Sequence, residues 1–173
     1  MRKEIQVDIR EVKVSDAQSM LELMLYLDSE TQFMLLEYGE RTTTIEQQTK
    51  IIESFSESQS QSMFVLANSS GINGFIVGIG NTANRNKHSM YCVIGIKQSA
   101  SGNGYGKQLL EHLECWASEH DFTRLELTVM CHNEPAYNLY LSRGFEVEGV
   151  KRRAMKIDDQ YVDEFYMSKL LST

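Results

Sequence analysis

The chain has 173 residues, 42% of them hydrophobic, enough for one folded domain whose core needs neither a metal nor a disulfide. Against 17 Lys and Arg stand 24 Asp and Glu, and the resulting charge of -7 disfavours nucleic-acid backbones and anionic lipid surfaces while suiting a cationic small substrate. No run approaches the ~20 apolar residues of a membrane span, and Met1 leads through Lys3 into alternating polar residues rather than a signal-peptide core, so the expected location is the cytoplasm.

Ile5, Val7 and Ile9 alternate with Gln6, Asp8 and Arg10, the period-two pattern of a first strand. Ser15 followed by Gln18 resembles a capping box, and Met20, Leu21, Met24 and Leu27 recur at the spacing of a helix that ends near Leu27. Residues 28–44 break that pattern and read as a loop with a helical turn, before a second helix over residues 45–56. Apolar runs at 63–67 and 74–80 flank an Asn-Ser-Ser-Gly-Ile-Asn turn and form a hairpin. A polar turn at 81–87 leads into a strand at 88–96, completing an antiparallel meander.

A glycine cluster follows, and then Leu109, Leu110, Leu113, Trp116 and Ala117 line one face of a helix. Leu125, Leu127, Val129 and Cys131 alternate as a strand, and strand, crossover helix, strand implies parallel pairing. Asn133 caps a further helix with Pro135 in its first turn and Gly144 at its end. Closing strands are expected at 145–151 and 161–170. The fold class is α/β, a mixed sheet of about seven strands with flanking helices, in one domain spanning 1–173. Cys92, Cys115 and Cys131 are odd in number, far apart and set in apolar segments. They read as buried thiols, with no disulfide framework and no metal site.

Ser101-Gly102-Asn103-Gly104-Tyr105-Gly106 lies between a strand and an amphipathic helix, where glycines let backbone N–H groups turn toward an anion such as a pyrophosphate. A P-loop would need Gly where Ser101 stands and Ser or Thr where Gln108 stands. A Rossmann fingerprint needs G-x-G-x-x-G, whereas Gly102, Gly104 and Gly106 make G-x-G-x-G in mid-chain.

The loop resembles that of the Gcn5-related N-acetyltransferases, which reads Arg or Gln, two variable residues, Gly, one variable residue, then Gly or Ala. Gly104 and Gly106 match; Ser101 stands where Arg or Gln is usual, which removes a side-chain contact but keeps a backbone anion nest. Asn133-Glu-Pro-Ala-Tyr-Asn-Leu-Tyr140-Leu-Ser-Arg-Gly-Phe145 is similar, in register, to the family's next helix, and the resemblance extends from Ile9-Arg10-Glu11 to Met167.

The resemblance implies transfer of an acetyl group from acetyl-CoA to a primary amine of a small molecule, amino acid or peptide, by direct attack in a ternary complex and without a metal. Tyr140 would protonate the departing thiolate, since a phenol of pKa about 10 suits a basic leaving group. The cofactor would be held by the loop residues Ser101, Gly102, Asn103, Gly104, Tyr105, Gly106 and Lys107, by Asn133, Tyr140 and Arg143, and by backbone at Ile94, Gly95 and Ile96 acting as a strand partner for the pantetheine arm. A bulge at Gly95 would splay the fourth and fifth strands. The fourth strand has no Glu to take the amine's proton, which leaves His88 at its start as candidate base. Glu30, Glu37 and Glu40 lie where the family lines its acceptor pocket. A homodimer is plausible by the same analogy, and a cofactor-binding regulatory protein without turnover is the alternative.

Overall fold

The computed structural model describes residues 6–172, so Ile5 of the expected first strand lies outside the described residues. Its elements in chain order are β1 (Asp8–Glu11), α1 (Ala17–Glu30), α2 (Ile45–Ser56), β2 (Gln61–Asn68), β3 (Gly71–Gly80), β4 (Ser89–Ile96), α3 (Tyr105–Glu119), β5 (Arg124–Met130), α4 (Glu134–Ser142), β6 (Glu146–Ile157) and β7 (Gln160–Leu170). The strands form one mixed sheet in the order β1-β2-β3-β4-β5-β7-β6. Every neighbouring pair is antiparallel except β4 with β5, which α3 joins as a parallel crossover.

Strand alternation gives the sheet two faces, and the helices divide them. Ile76, Met90, Cys92, Leu125, Leu127 and Met167 pack with α3 and α4 in the larger core. Met63, Val65, Phe75 and Val77 pack with α1 and α2 on the opposite face. Helix contacts on that second face go to β2 and β3, which leaves Tyr91, Val93 and Tyr166 exposed farther along it.

Three local expectations change. The start of α1 is organised by Asp16 rather than by Ser15 and Gln18: the Asp16 carboxylate accepts from Lys13 N at 2.8 Å and from both terminal nitrogens of Arg10, at 2.7 and 2.9 Å. A carboxylate there satisfies helix-end donors and an ion pair together. Residues 31–44 contain bends and one turn at residues 38–40 but no helical turn. They are tied down instead by Arg41, whose guanidinium grips the buried Asp28 at 2.6 and 3.0 Å. Finally, β6 runs on to Ile157 and turns at Asp158 and Asp159, both at positive φ, a two-residue hairpin of the kind that matches strand twist.

β4 carries the feature that positions the site. It pairs with β3 without interruption from Gly74↔Ile96 to Gly80↔Met90, so the bulge expected at Gly95 is absent. Gly95 is required for another reason: a Cβ there would lie 2.7 Å from Phe75 and 2.9 Å from Leu27. With β5 the pairing covers only Ser89↔Arg124, Met90↔Leu125 and Tyr91↔Glu126. Beyond Tyr91 the two strands part, while β5 stays bonded to β7 as far as Met130.

Candidate functional site

The parted strands leave one edge of Cys92–Ile96 without a strand partner. In an antiparallel pair alternate residues point their N–H and C=O groups away from the partner, so this stretch offers main-chain donors and acceptors into the gap. Ile94 and Ile96 flank it half-buried, with Gly95 between them.

A second set of donors lies at the same end. Gly102 and Gly104 have φ of +78° and +79°, and open space surrounds the position a Cβ would take on each. Asn103 braces the turn by donating its amide to the carbonyls of Ala100 and Ser101 at 3.1 and 3.2 Å, and the Ser101 hydroxyl donates to Lys97 O at 3.2 Å. No side chain caps α3, whose first intrahelical acceptor is Gly104 O, bonded by Gln108 N at 3.3 Å. Among the described residues the N–H groups from Gly102 to Lys107 therefore lack acceptors, and the helix dipole adds partial positive charge. Six such donors and an exposed Lys107 fit a diphosphate; the open strand edge beyond fits an amide-bearing arm. The chain's own residues thus suit a cofactor that carries a diphosphate and an amide-bearing arm.

Helix α4 closes the third side. Gly106 permits its approach, since a Cβ there would stand 2.8 Å from Leu139. Asn133 caps α4, its side-chain oxygen accepting from Ala136 N at 3.4 Å, which leaves its NH2 group free. Tyr140 is 6% exposed and packs among the residues of the larger core, its ring 5.8 Å from that of Phe145. Burial raises the phenol's pKa well above the usual value, and the nearby Cys92 and Tyr91 add to the rise, so the hydroxyl keeps its proton throughout the neutral range.

Other expected residues stand elsewhere. His88 is exposed at the closed end of the β4–β5 pair, where its carbonyl accepts from Thr123 N and Arg124 N. It lies about 13 Å along the strand from Cys92, and the gap opens in the other direction, so a base is not placed there. Arg143 ends α4 with its guanidinium 2.6 Å from Glu114, a carboxylate shared with Lys169 at 3.0 Å. Glu114 is about 13 Å along α3 from the glycine turn, and Arg143 is committed away from it. Glu30 accepts from Gln98 N at 3.0 Å, tying α1 to the segment that leads into the turn. Glu37 and Glu40 are exposed, and Glu40 accepts from Glu37 N.

Of the cysteines only Cys92 is buried; Cys115 is exposed and Cys131 is half-buried. Burial pushes the Cys92 thiol up to about 12 and raises that of Cys131, so neither is a ready nucleophile.

The face opposite α3 and α4 is closed at the open end of the gap by the segment after α1. Gln32 donates to Asp158 in the β6–β7 turn at 2.9 Å, and the Phe33 ring lies 5.1 Å from His132, just after β5. Where the strands part, the Tyr91 and Thr128 hydroxyls meet at 2.8 Å across the split. Neither hydroxyl was marked by any sequence motif, because their meeting depends on sheet register. A cleft of about 300 Å³ beside Glu57, Trp116 and His120 lies at the opposite end of the sheet and does not communicate with this region.

Residues 25–145 match the acetyltransferase (GNAT) family. The chain belongs to the GNAT family. Over 64 residues it is 33% identical to the L-amino acid N-acetyltransferase AaaT of Escherichia coli (strain K12), a match spanning 37% of this chain and 38% of that one. An acetyltransferase of the GNAT family from Streptococcus pneumoniae superposes with a TM-score of 0.92 at 27% identity, covering 96% of this chain and all of the other (100%). The phosphinothricin acetyltransferase of Sinorhizobium meliloti, solved in complex with acetyl-CoA, shares the fold with a TM-score of 0.83 at 15% identity, covering 96% of this chain and 89% of that one. In this GNAT chain the family match runs from α1 to the start of β6, and so takes in the gap, the glycine turn and α4, while β7 lies beyond it.

Proposed function

We propose that the chain is a single-domain, acetyl-CoA-dependent N-acetyltransferase that acts on a primary amine of a small molecule, amino acid or peptide. The observation that carries this reading is the parting of β4 from β5 after Tyr91, with a run of unpartnered N–H groups at one mouth and a buried, protonated Tyr140 beside the split. The similarity to an L-amino acid N-acetyltransferase favours L-amino acids as the first acceptors to try. No helix among the described residues is long and apolar enough to cross a membrane, which is compatible with a cytoplasmic enzyme.

When bound, acetyl-CoA supplies an acetyl thioester. The N–H groups from Gly102 to Lys107 hold its diphosphate, with the Lys107 ammonium adding charge, and the Asn133 NH2 group bonds the arm. Main-chain groups at Ile94, Gly95 and Ile96 align the arm as an added strand and polarise the carbonyl. Tyr140 would hold a proton at its hydroxyl and give it to the sulfur as the amine, first deprotonated by water, displaces it, and the proton the nitrogen then loses would return through water to the phenolate. Because the acceptor attacks directly, Cys92 and Cys131 need do nothing, in keeping with their raised pKa values.

Calorimetry with acetyl-CoA, followed by CoA release in the presence of L-amino acids and short peptides, tests the reading. Saturable binding and acceptor-dependent release are expected. Binding without release from any amine would leave a cofactor-binding protein and remove the enzyme; absence of binding would remove the cofactor as well.

A further inference from the structure

Three acidic residues are buried in the described chain, and two have cations: Asp16 is paired with Arg10 and Asp28 with Arg41. Glu164 on β7 is 6% exposed, yet among the described residues it has no ion pair and no side-chain hydrogen bond. Buried carboxylates are ordinarily paired, because desolvating an unpaired charge is costly. Among the described residues the buried side-chain polar atoms without a hydrogen-bond partner are Ser89 Oγ, Arg143 Nε and Glu114 Oε1, the last of which still faces the Lys169 ammonium at 3.0 Å. The Glu164 oxygens are not among them, so its carboxylate reaches accessible space.

That space lies on the face opposite α3 and α4, at the end where β4 and β5 part. Phe165 and Met167 pack toward the core under α3 and α4, so Glu164 and Tyr166 face the other way. Glu164 pairs with Met130, the last residue of β5, and is diagonal to Thr128, whose hydroxyl meets Tyr91 at the split. Diagonal neighbours in an antiparallel pair are ~7–8 Å apart at Cα, within reach of a long side chain. The Arg124 guanidinium on this face is engaged by Glu126 and Glu148, nearer the closed end. Asp163 is also committed, one of its oxygens accepting from Arg153 N.

We propose that Glu164 is the acceptor-recognising carboxylate: it receives the substrate's ammonium group on the face opposite α3 and α4 and restricts the enzyme to cationic amines. This rests on the acetyltransferase reading above and adds to it the charge of the acceptor and the residue that reads it. Lys151 stands directly opposite Glu164 on β6 but is exposed and makes no ion pair with it, so a substrate ammonium supplies a contacting counter-charge, and binding desolvates a carboxylate already mostly removed from water.

The test uses whichever L-amino acid the full-length protein acetylates best. Glu164→Gln is isosteric and removes the charge. It is expected to raise the KM for that amino acid roughly ten- to a hundredfold, the loss typical of a hydrogen bond to a charged group, with a smaller change in kcat and unchanged affinity for acetyl-CoA. A KM within twofold of the parent's overturns the proposal while leaving acetyl transfer intact. If the parent protein acetylates no amine at all, both readings fall together, and the two failures are thereby distinguished. Should Glu164→Gln not fold, the parent protein alone decides. The 2-hydroxy acid matching the accepted amino acid is tested as a competitive inhibitor, and it should bind at least tenfold more weakly than the amine; equal binding overturns the role of charge.

Discussion

Burial keeps the Tyr140 hydroxyl protonated, which suits the proton-donor role proposed for it. Its phenol is raised above the ordinary value of 10.0 chiefly by loss of water, so it carries a proton wherever an enzyme of this class works. Tyr140→Phe keeps the ring in the core and removes only the hydroxyl. The expected result is a kcat lower by about 10²–10⁴, with acetyl-CoA affinity retained in calorimetry; an unchanged kcat would exclude Tyr140 as the proton donor. Because the neutral form is favoured by folding, activity should show no decline from Tyr140 ionising as the pH rises toward 10.0, the value an exposed phenol would give. Arg41 carries a different burden, since the Asp28 side chain is only 1% exposed. Arg41→Ala leaves a buried carboxylate alone and should cost about 3 kcal/mol, read as a fall in Tm of roughly 10 °C. The double variant Asp28→Leu with Arg41→Met, which removes both charges, should recover much of that loss.

At the level of elements, two close contacts set where helices sit. Gly106 lets the start of α3 lie against Leu139 of α4, and Gly95 lets β4 pass beneath Phe75 and Leu27. Gly106→Val is therefore expected to push α4 from the glycine turn and weaken acetyl-CoA binding at least tenfold by calorimetry, at an overpacking cost of ~1–3 kcal/mol. Binding equal to the parent's would mean that the turn and α4 are not coupled through this contact. The helices and the meander were readable because long apolar periodicities and Gly or Asn punctuation are local. The helix expected over residues 45–56 is present as Ile45–Ser56, and in the structure Thr44 and Gln47 close its start in a capping box. The strand expected at 145–151 ends at Lys151, whereas β6 continues through Arg152 and Arg153 to Ile157. In the folded chain that stretch is a bulge, with Arg153 at φ of 52° and its N–H held by Asp163 from the next strand. A bond across ten positions of sequence, |i−j| = 10, leaves no local trace.

Across the whole molecule the acid response follows from paired carboxylates. Arg124, with help from Ser168, holds Glu148 at about 2 against an ordinary 4.5, so its charged form favours the folded state. That stability is fully present above 4.5 and is lost as the pH falls toward 2. The Glu148 side chain is 45% exposed, and solvent screening limits the contribution to about 1 kcal/mol or less. Glu148→Gln should flatten this part of the unfolding curve between those pH values, measured by circular dichroism; an unaltered slope would mean that the pair contributes nothing.

The sequence by itself determined the family, the place of the glycine turn, the cap and body of α4 and the order of strands and helices, because each is written in neighbouring residues whose spacing follows from helix and strand periods. It also supported His88 and Arg143 by proximity to elements that matter, and tertiary structure moved both away, since the direction in which β4 and β5 part and the partner of a guanidinium are properties of the assembled sheet. Register alone decided that the gap opens without a bulge, that Tyr91 meets Thr128, and that Glu164 is buried with no ion pair among the described residues. These are relations between strands far apart in the chain, and a strand's own alternation fixes which face a residue takes but not what stands across from it.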